Sequence, residues 1–302
     1  MFEIHSPATF APSSPSCLLQ RVRRLSPFRR LRYYAKTCWL FIADDVKTII
    51  LPCSTFSLIT SPRLELSRIP LVIFWISIHL FLCDVSNQSV SRLEDLANKP
   101  YRPIAAGRIS ERSARHLLVF LYIFCTLLSA ALGQFWVSFT LGILALAYNT
   151  YEMSQNWMAK NILNAAAYVC FEYGGTALAG DELDRTAYTA LILSFFTIIT
   201  TIHCQDFRDI EGDRLSGRIT LPIQFGQAAS RALFSFFVIF WSILIPHVWD
   251  MTFLWRSVYF LSGLYLGVCV FRRRTVEEDK RSYKLYNFWI AAIHFAVINA
   301  RR

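Results

Sequence analysis

The chain has 302 residues, 54% of them hydrophobic and 17% charged, with 25 Phe, 13 Tyr and 8 Trp and a formal net charge of +10. With a mean hydropathy of +0.37, that balance argues against an ordinary soluble domain and fits a polytopic, all-α membrane protein. The basic residues flank apolar runs, which points to lipid headgroups and an anionic substrate and away from nucleic acid; the eight Cys form no C-x-x-C pair, so neither a zinc site nor a disulfide framework is read.

Residues 1–37 form a basic, Pro/Ser-rich tail, expected to be disordered, with no apolar stretch close enough behind its arginines for a cleaved secretory signal. Its composition also fits a mitochondrial presequence, so the expected location is the endoplasmic reticulum, with the inner mitochondrial membrane as the alternative. Residues 38–302 form the expected transmembrane domain. Nine apolar segments of spanning length run over about 38–60, 69–91, 113–133, 134–153, 160–180, 187–206, 228–248, 252–271 and 285–300. The first carries Asp44, Asp45 and Lys47. Counting nine spans places the tail arginines, Arg92 to Arg115, Lys160, Arg208 to Arg218 and Arg272 to Lys284 on one side. That is the asymmetry of a cytosolic face.

Two segments end in acidic residues on that face. Segment six runs into Gln205-Asp206-Phe207-Arg208-Asp209-Ile210-Glu211-Gly212-Asp213-Arg214. In a continued helix, Asp206, Asp209 and Asp213 share one face. Crowded carboxylates repel unless cations lie between them, and oxygen-only ligands suit Mg²⁺, which takes one or two carboxylates plus substrate phosphates. Segment two ends with Asn87, Ser91 and Asp95 at i, i+4 and i+8, with Asp84 one turn earlier. Pro100 and Pro103 then fix a loop carrying Lys99 and Arg102. A faint repeat follows: Gly107-Arg108-Ile109-Ser110 and Gly217-Arg218-Ile219-Thr220. Metal ligands and basic residues on both sides of a cavity are the parts needed to hold a diphosphate. In an apolar, aromatic surround, that diphosphate carries a hydrocarbon tail, and aromatic faces stabilise the allylic cation that its ionisation leaves.

These residues resemble the UbiA superfamily of intramembrane prenyltransferases. Asn87, Asp95, Asn98, Lys99, Pro100, Arg102, Pro103, Ile104 and Gly107 match its first motif; Asp206, Asp209, Gly212 and Asp213 match its second. The resemblance covers about residues 38–300 and implies nine helices around a central cavity. It implies catalytic Asp95, Asp206, Asp209 and Asp213, and Mg²⁺ held by Asn87, Ser91, Asp95, Asp206, Asp209 and Asp213. Tyr148, Lys160 and Asn164 are its more loosely aligned substrate contacts, beside Lys99, Arg102, Arg208 and Arg214 for the phosphates. Gln88 and Ser91 stand where the family has Asp. That variant, with the spacing of an Asn/Ser/acid metal triad, is similar to a fungal branch of membrane terpene cyclases. The resemblance therefore implies cyclisation of a prenyl diphosphate, farnesyl diphosphate first, in fungal secondary metabolism. Transfer to an aromatic or other small acceptor is the alternative, and a non-catalytic relative the remote one.

Overall fold

The nine predicted apolar segments are helical over most of their lengths. The computed structural model describes residues 26–180 and 182–301, so residues 1–25 of the basic tail lie outside it; from Pro27 the chain is helical. The helices, in chain order, are α1 (Pro27–Ile42), α2 (Leu51–Thr60), α3 (Ile69–Val90), α4 (Arg92–Asn98), α5 (Glu111–Ala131), α6 (Phe135–Ala145) and α7 (Trp157–Ala179). They continue with α8 (Arg185–Thr201), α9 (Ile210–Leu215), α10 (Leu221–Gln224), α11 (Gln227–Val248), α12 (Phe253–Arg272) and α13 (Val276–Phe295).

Five of these helical segments are long and apolar enough to cross a membrane by length and composition: Leu66–Val90, Glu111–Ala131, Arg185–Arg208, Gln227–Val248 and Phe253–Arg272. The count of nine spans is therefore not established by these criteria. The first predicted segment is not one helix: α1 ends at Ile42, the chain turns through Ala43–Asp45, and a π-turn over Val46–Ile50 leads into α2. The two carboxylates explain the break. Thr48 Oγ1 donates to Asp45 Oδ1 at 2.7 Å, and Tyr101 donates its hydroxyl to Asp44, while Pro52 in the first turn of α2 suits a helix start. The last segment is longer than expected. It starts at Val276 behind a Thr275–Glu278 capping box.

The core runs between α2, α3, α7, α8, α11 and α13 and includes Trp75, Phe56, Phe171, Phe234 and Tyr286. Close approach of α3 to α7 requires Gly174, where a Cβ would overlap the Trp75 indole. Behind α8, Arg231 and Asp279 form a buried bidentate pair at 2.7 Å, and the guanidinium stacks on Phe207 at 4.2 Å. Outward faces of α5, α6 and α11 expose Leu127, Trp136, Phe236 and Phe240, an apolar surface fit for lipid.

Candidate active site

The acidic ends of α3 and α8 meet over a cavity of ≈ 230 Å³. Asp84, Asn87, Lys99, Lys160, Asp209 and Arg218 line its polar end; Leu80, Leu141, Leu163, Phe171 and Ile202 line its apolar walls. Neither acidic end continues as regular α-helix. At Ser91 (φ −94°, ψ 21°) α3 gives way to α4. The end of α8 tightens into a 3₁₀ helix over Ile202–Arg208, breaks at Asp209 and resumes as α9. Asp209 follows the 3₁₀ segment and lines the cavity, whereas Asp206, within it, is buried against Lys160. Gly212 lets α9 close on α4, because a Cβ there would overlap the Asn98 amide.

Asp95, Asp206, Asp209 and Asp213 each have a cationic partner. Lys160 Nζ donates to Asp206 Oδ1 at 2.7 Å, Arg218 Nη1 to Asp213 Oδ1 at 2.9 Å, and Arg102 Nη1 to Asp95 Oδ1 at 2.9 Å. Arg208 Nε reaches Asp209 Oδ2 at 3.3 Å, and its guanidinium lies 4.2 Å from the Tyr283 ring centre. These pairs draw the acids apart. Among the described residues no three His, Cys, Asp or Glu side chains converge as a metal-binding group. The donor set nonetheless fits Mg²⁺: the Oδ2 atoms of Asp206, Asp213 and Asp84 are buried without a hydrogen-bond partner. Buried unsatisfied oxygens are costly, and a hard cation satisfies them. Burial pushes the Asp213 carboxyl up to about 6 against the opposing pull of Lys160. It also raises Asp95 against the pull of Arg102.

Of the predicted substrate contacts, Lys99, Arg102, Tyr148, Lys160, Asn164 and Arg208 line the cavity. Arg214 does not; it is exposed on α9, and Arg218 takes the inward place, bound to Asp213 and to Glu94. Of the α3 set, Asn87 lines the cavity and donates to Asn149 Oδ1 at 3.1 Å. Ser91 donates to Asp95 Oδ2 at 3.2 Å, and neither of these two lines the cavity beside Asn87. Gln88 is buried and donates to Phe41 O at 3.1 Å.

Sequence reasoning did not assign Asp45, Glu94 and Arg218, all of which line the cavity, and it treated Asp84 only as added charge. The Gly-Arg-Ile-hydroxyl echo was the available signal for Arg218. Gly107 and Gly217 both take positive φ, 66° and 73°. In each turn the glycine N–H bonds the carbonyl three residues back and the arginine N–H the carbonyl five back. The backbones repeat but the side chains diverge, since Arg108 bonds Thr37 and the Tyr33 carbonyl.

The UbiA prenyltransferase family model matches residues 49–291. The chain belongs to the UbiA prenyltransferase family. Fumagillin beta-trans-bergamotene synthase of Aspergillus fumigatus is 27% identical over 261 residues, 85% of this chain and 90% of the relative. Somaliensene A/B synthase of Streptomyces somaliensis is 26% identical over 270 residues, 83% and 88% of the two chains. A cyclase and a polyprenyl transferase also occur among the matched relatives. The fold resembles a UbiA homolog from Archaeoglobus fulgidus bound to DMAPP and Mg²⁺, with a TM-score of 0.63 and 19% identity over 89% of this chain and 98% of that one. The chain is thus an integral membrane enzyme of the UbiA family, whose members process prenyl diphosphates as prenyltransferases or terpene cyclases.

Proposed function

We propose that this enzyme cyclises farnesyl diphosphate, within a bundle of nine transmembrane helices. The observation that carries the reading is the polarity of the cavity: cations and carboxylates at one end, apolar and aromatic walls beyond. Asp206, Asp209 and Asp213 hold Mg²⁺ on the α8 side. On the α3 side Asn87 would hold it, where the sequence spacing also puts Ser91 and Asp95. Bound there, Mg²⁺ neutralises the diphosphate and draws charge from the leaving group. Lys99, Arg102, Lys160, Arg208 and Arg218 bind the phosphate oxygens, with Tyr148 and Asn164 beside them. The chain then lies along Leu163, Tyr168 and Phe171, where aromatic faces stabilise the allylic cation and apolar walls exclude water until the substrate's own double bond captures it and the cyclic cation loses a proton to the released diphosphate. No histidine among the described residues lines the cavity, and its carboxylates stand at the polar end, so the inner walls hold no strong base for an acceptor. The similarity to a bergamotene synthase over most of both chains supports the same reading.

Purified enzyme in lipid, given farnesyl diphosphate and Mg²⁺ with no acceptor, is expected to release a hydrocarbon terpene, detected by mass spectrometry. Absence of that product, with prenylation of an aromatic acceptor when one is supplied, would establish transfer instead. Membrane fractionation decides between the endoplasmic reticulum and the inner mitochondrial membrane.

A further inference from the structure

At the polar end, Asp84 has no cation in direct contact among the described residues. It is 8% exposed, lines the cavity, forms no ion pair, and leaves Oδ2 without a hydrogen-bond partner. Asp95, Asp206, Asp209 and Asp213 each have a cation within 3.3 Å. A lone carboxylate at such depth is costly unless a cation reaches it.

Its surroundings supply further hard oxygens. Asn87 stands three residues on, on the same face of α3. Its amide N–H groups are turned to Asn149, which leaves its carbonyl oxygen for another partner. Across the cavity mouth, Asp45 lines the same space. Thr48 occupies its Oδ1, which leaves Oδ2. Gln88 braces this arrangement by bonding Phe41 O, which fixes the end of α1 just before the Asp44–Asp45 turn. The other residues on the α3 side are engaged elsewhere: Ser91 with Asp95, and Asp95 with Arg102.

We propose that the α3-side divalent cation is held by Asp84, Asn87 and Asp45, and that Asp95 serves to position Arg102. Two carboxylates and an amide oxygen, completed by phosphate oxygens and water, form a set suited to Mg²⁺. The inference rests on the metal–diphosphate reading above and relocates its first site by one to two helical turns along α3. Asp95 then remains paired and acts through the guanidinium that meets the phosphate.

The test is manganese binding, read by electron paramagnetic resonance on purified protein in lipid nanodiscs with a non-ionising prenyl thiodiphosphate. Wild type is expected to show an α3-side and an α8-side site. Asp84→Asn is expected to weaken the α3-side site by more than about 10-fold, a loss typical even of an outer partner of a metal ligand. Asp45→Asn, at a half-buried turn, should weaken the same site and serves as the second variant if Asp84→Asn does not fold. Asp206→Asn should affect the other site, and Asp95→Asn should leave manganese binding in place. Unchanged binding in both Asp84→Asn and Asp45→Asn, with wild type binding normally, overturns this inference alone. So does loss of the α3-side site in Asp95→Asn. Absence of manganese binding in wild type overturns it together with the metal–diphosphate reading.

Discussion

Lys160 and Asp206 form a buried ion pair, Nζ to Oδ1 2.7 Å, that ties α7 to the 3₁₀ end of α8. Lys160 also lines the cavity, while Asp206 lies behind it. The pair neutralises a carboxylate that would otherwise be alone in a low-dielectric interior, and it keeps an ammonium group at the place where a diphosphate would arrive. Removing the cation should therefore cost stability as well as activity. Lys160→Met is expected to destabilise the free enzyme by about 3–5 kcal/mol, the usual result of stranding one member of a buried pair. Mg²⁺ with a diphosphate analogue should restore part of that loss. Thermal unfolding in detergent, with and without both ligands, measures it; an unchanged melting temperature would refute the role assigned to the pair.

The α8-side carboxylates should be required for turnover. Asp206→Asn and Asp213→Asn remove charge while keeping shape, and each is expected to lower kcat/KM by about 100-fold or more, the scale of losing one strong electrostatic contribution in a desolvated site. EDTA should silence the wild type, and added Mg²⁺ should restore it. Full activity in chelator-treated membranes would exclude a metal-dependent ionisation.

The pH dependence follows from Asp213. Burial raises its carboxyl to about 6, with Lys160 pulling the other way. Above that pH the group is charged and available to a cation; below it, a proton competes. The apparent KM for Mg²⁺ is expected to rise as pH falls through about 6, approaching a tenfold increase per pH unit for a single competing proton. Saturating Mg²⁺ should recover rate at mildly acid pH. Initial rates on a grid of pH and Mg²⁺ concentration test this, and a metal KM flat between pH 5 and 7 would contradict it.

The helices were legible because long apolar runs have few alternatives in a membrane, and the acidic ends stood out because charge is rare there. The site was legible only in part, for a geometric reason. Grouping Asn87, Ser91 and Asp95, or Asp206, Asp209 and Asp213, by helical spacing assumes an unbroken α-helix. The chain breaks at Ser91 and again at Asp209, so neither set keeps its helical spacing: on the α8 side Asp209 and Asp213 line the cavity and Asp206 does not. Asp84 and Asn87, both before the break, line the cavity as spacing implies; Asp95, beyond it, turns to Arg102. Arg214 and Arg218 were exchanged for the same reason, since the turn at Gly217 reverses the chain. Asp45 was noticed but given no role, because the apolar run around it read as one span.

Packing between α3 and α7 should be intolerant of added volume. Gly174 faces the Trp75 indole, which is fully buried and held by its Nε1–H donating to Ser129 Oγ at 2.9 Å. A rigid ring with a fixed hydrogen bond has little room to yield. Gly174→Ala is expected to cost about 1–3 kcal/mol, as overpacking of a core usually does. Exposed Gly133 meets nothing within 4 Å at its Cβ position, and its positive φ makes it a poor control, so Ala130→Ser on lipid-facing α5 is the better comparison. Equal melting temperatures for Gly174→Ala and wild type would show that the ring moves freely.

Chain length should be set by depth along α7. Lys160 marks the polar end of the cavity and Phe171 lies eleven residues further along the helix, about 16 Å at 1.5 Å per residue. Leu80 stands correspondingly deeper than Asp84 on α3, and Leu141 on α6 deeper than Tyr148 in the π-turn that follows it. A prenyl chain whose diphosphate is held among the cations therefore runs toward Phe171, and a ring there limits how many isoprene units fit. Phe171→Leu replaces that ring by a smaller branched chain at modest cost and is expected to raise kcat/KM for geranylgeranyl relative to farnesyl diphosphate. Phe171→Trp should shift the preference toward geranyl diphosphate. Because a shortened side chain in the core also loosens packing, the informative quantity is the ratio among three chain lengths in one preparation, which a general loss of stability leaves unchanged. Equal ratios in wild type and both variants would mean that the hydrocarbon does not reach Phe171 and leaves the cavity between helices instead.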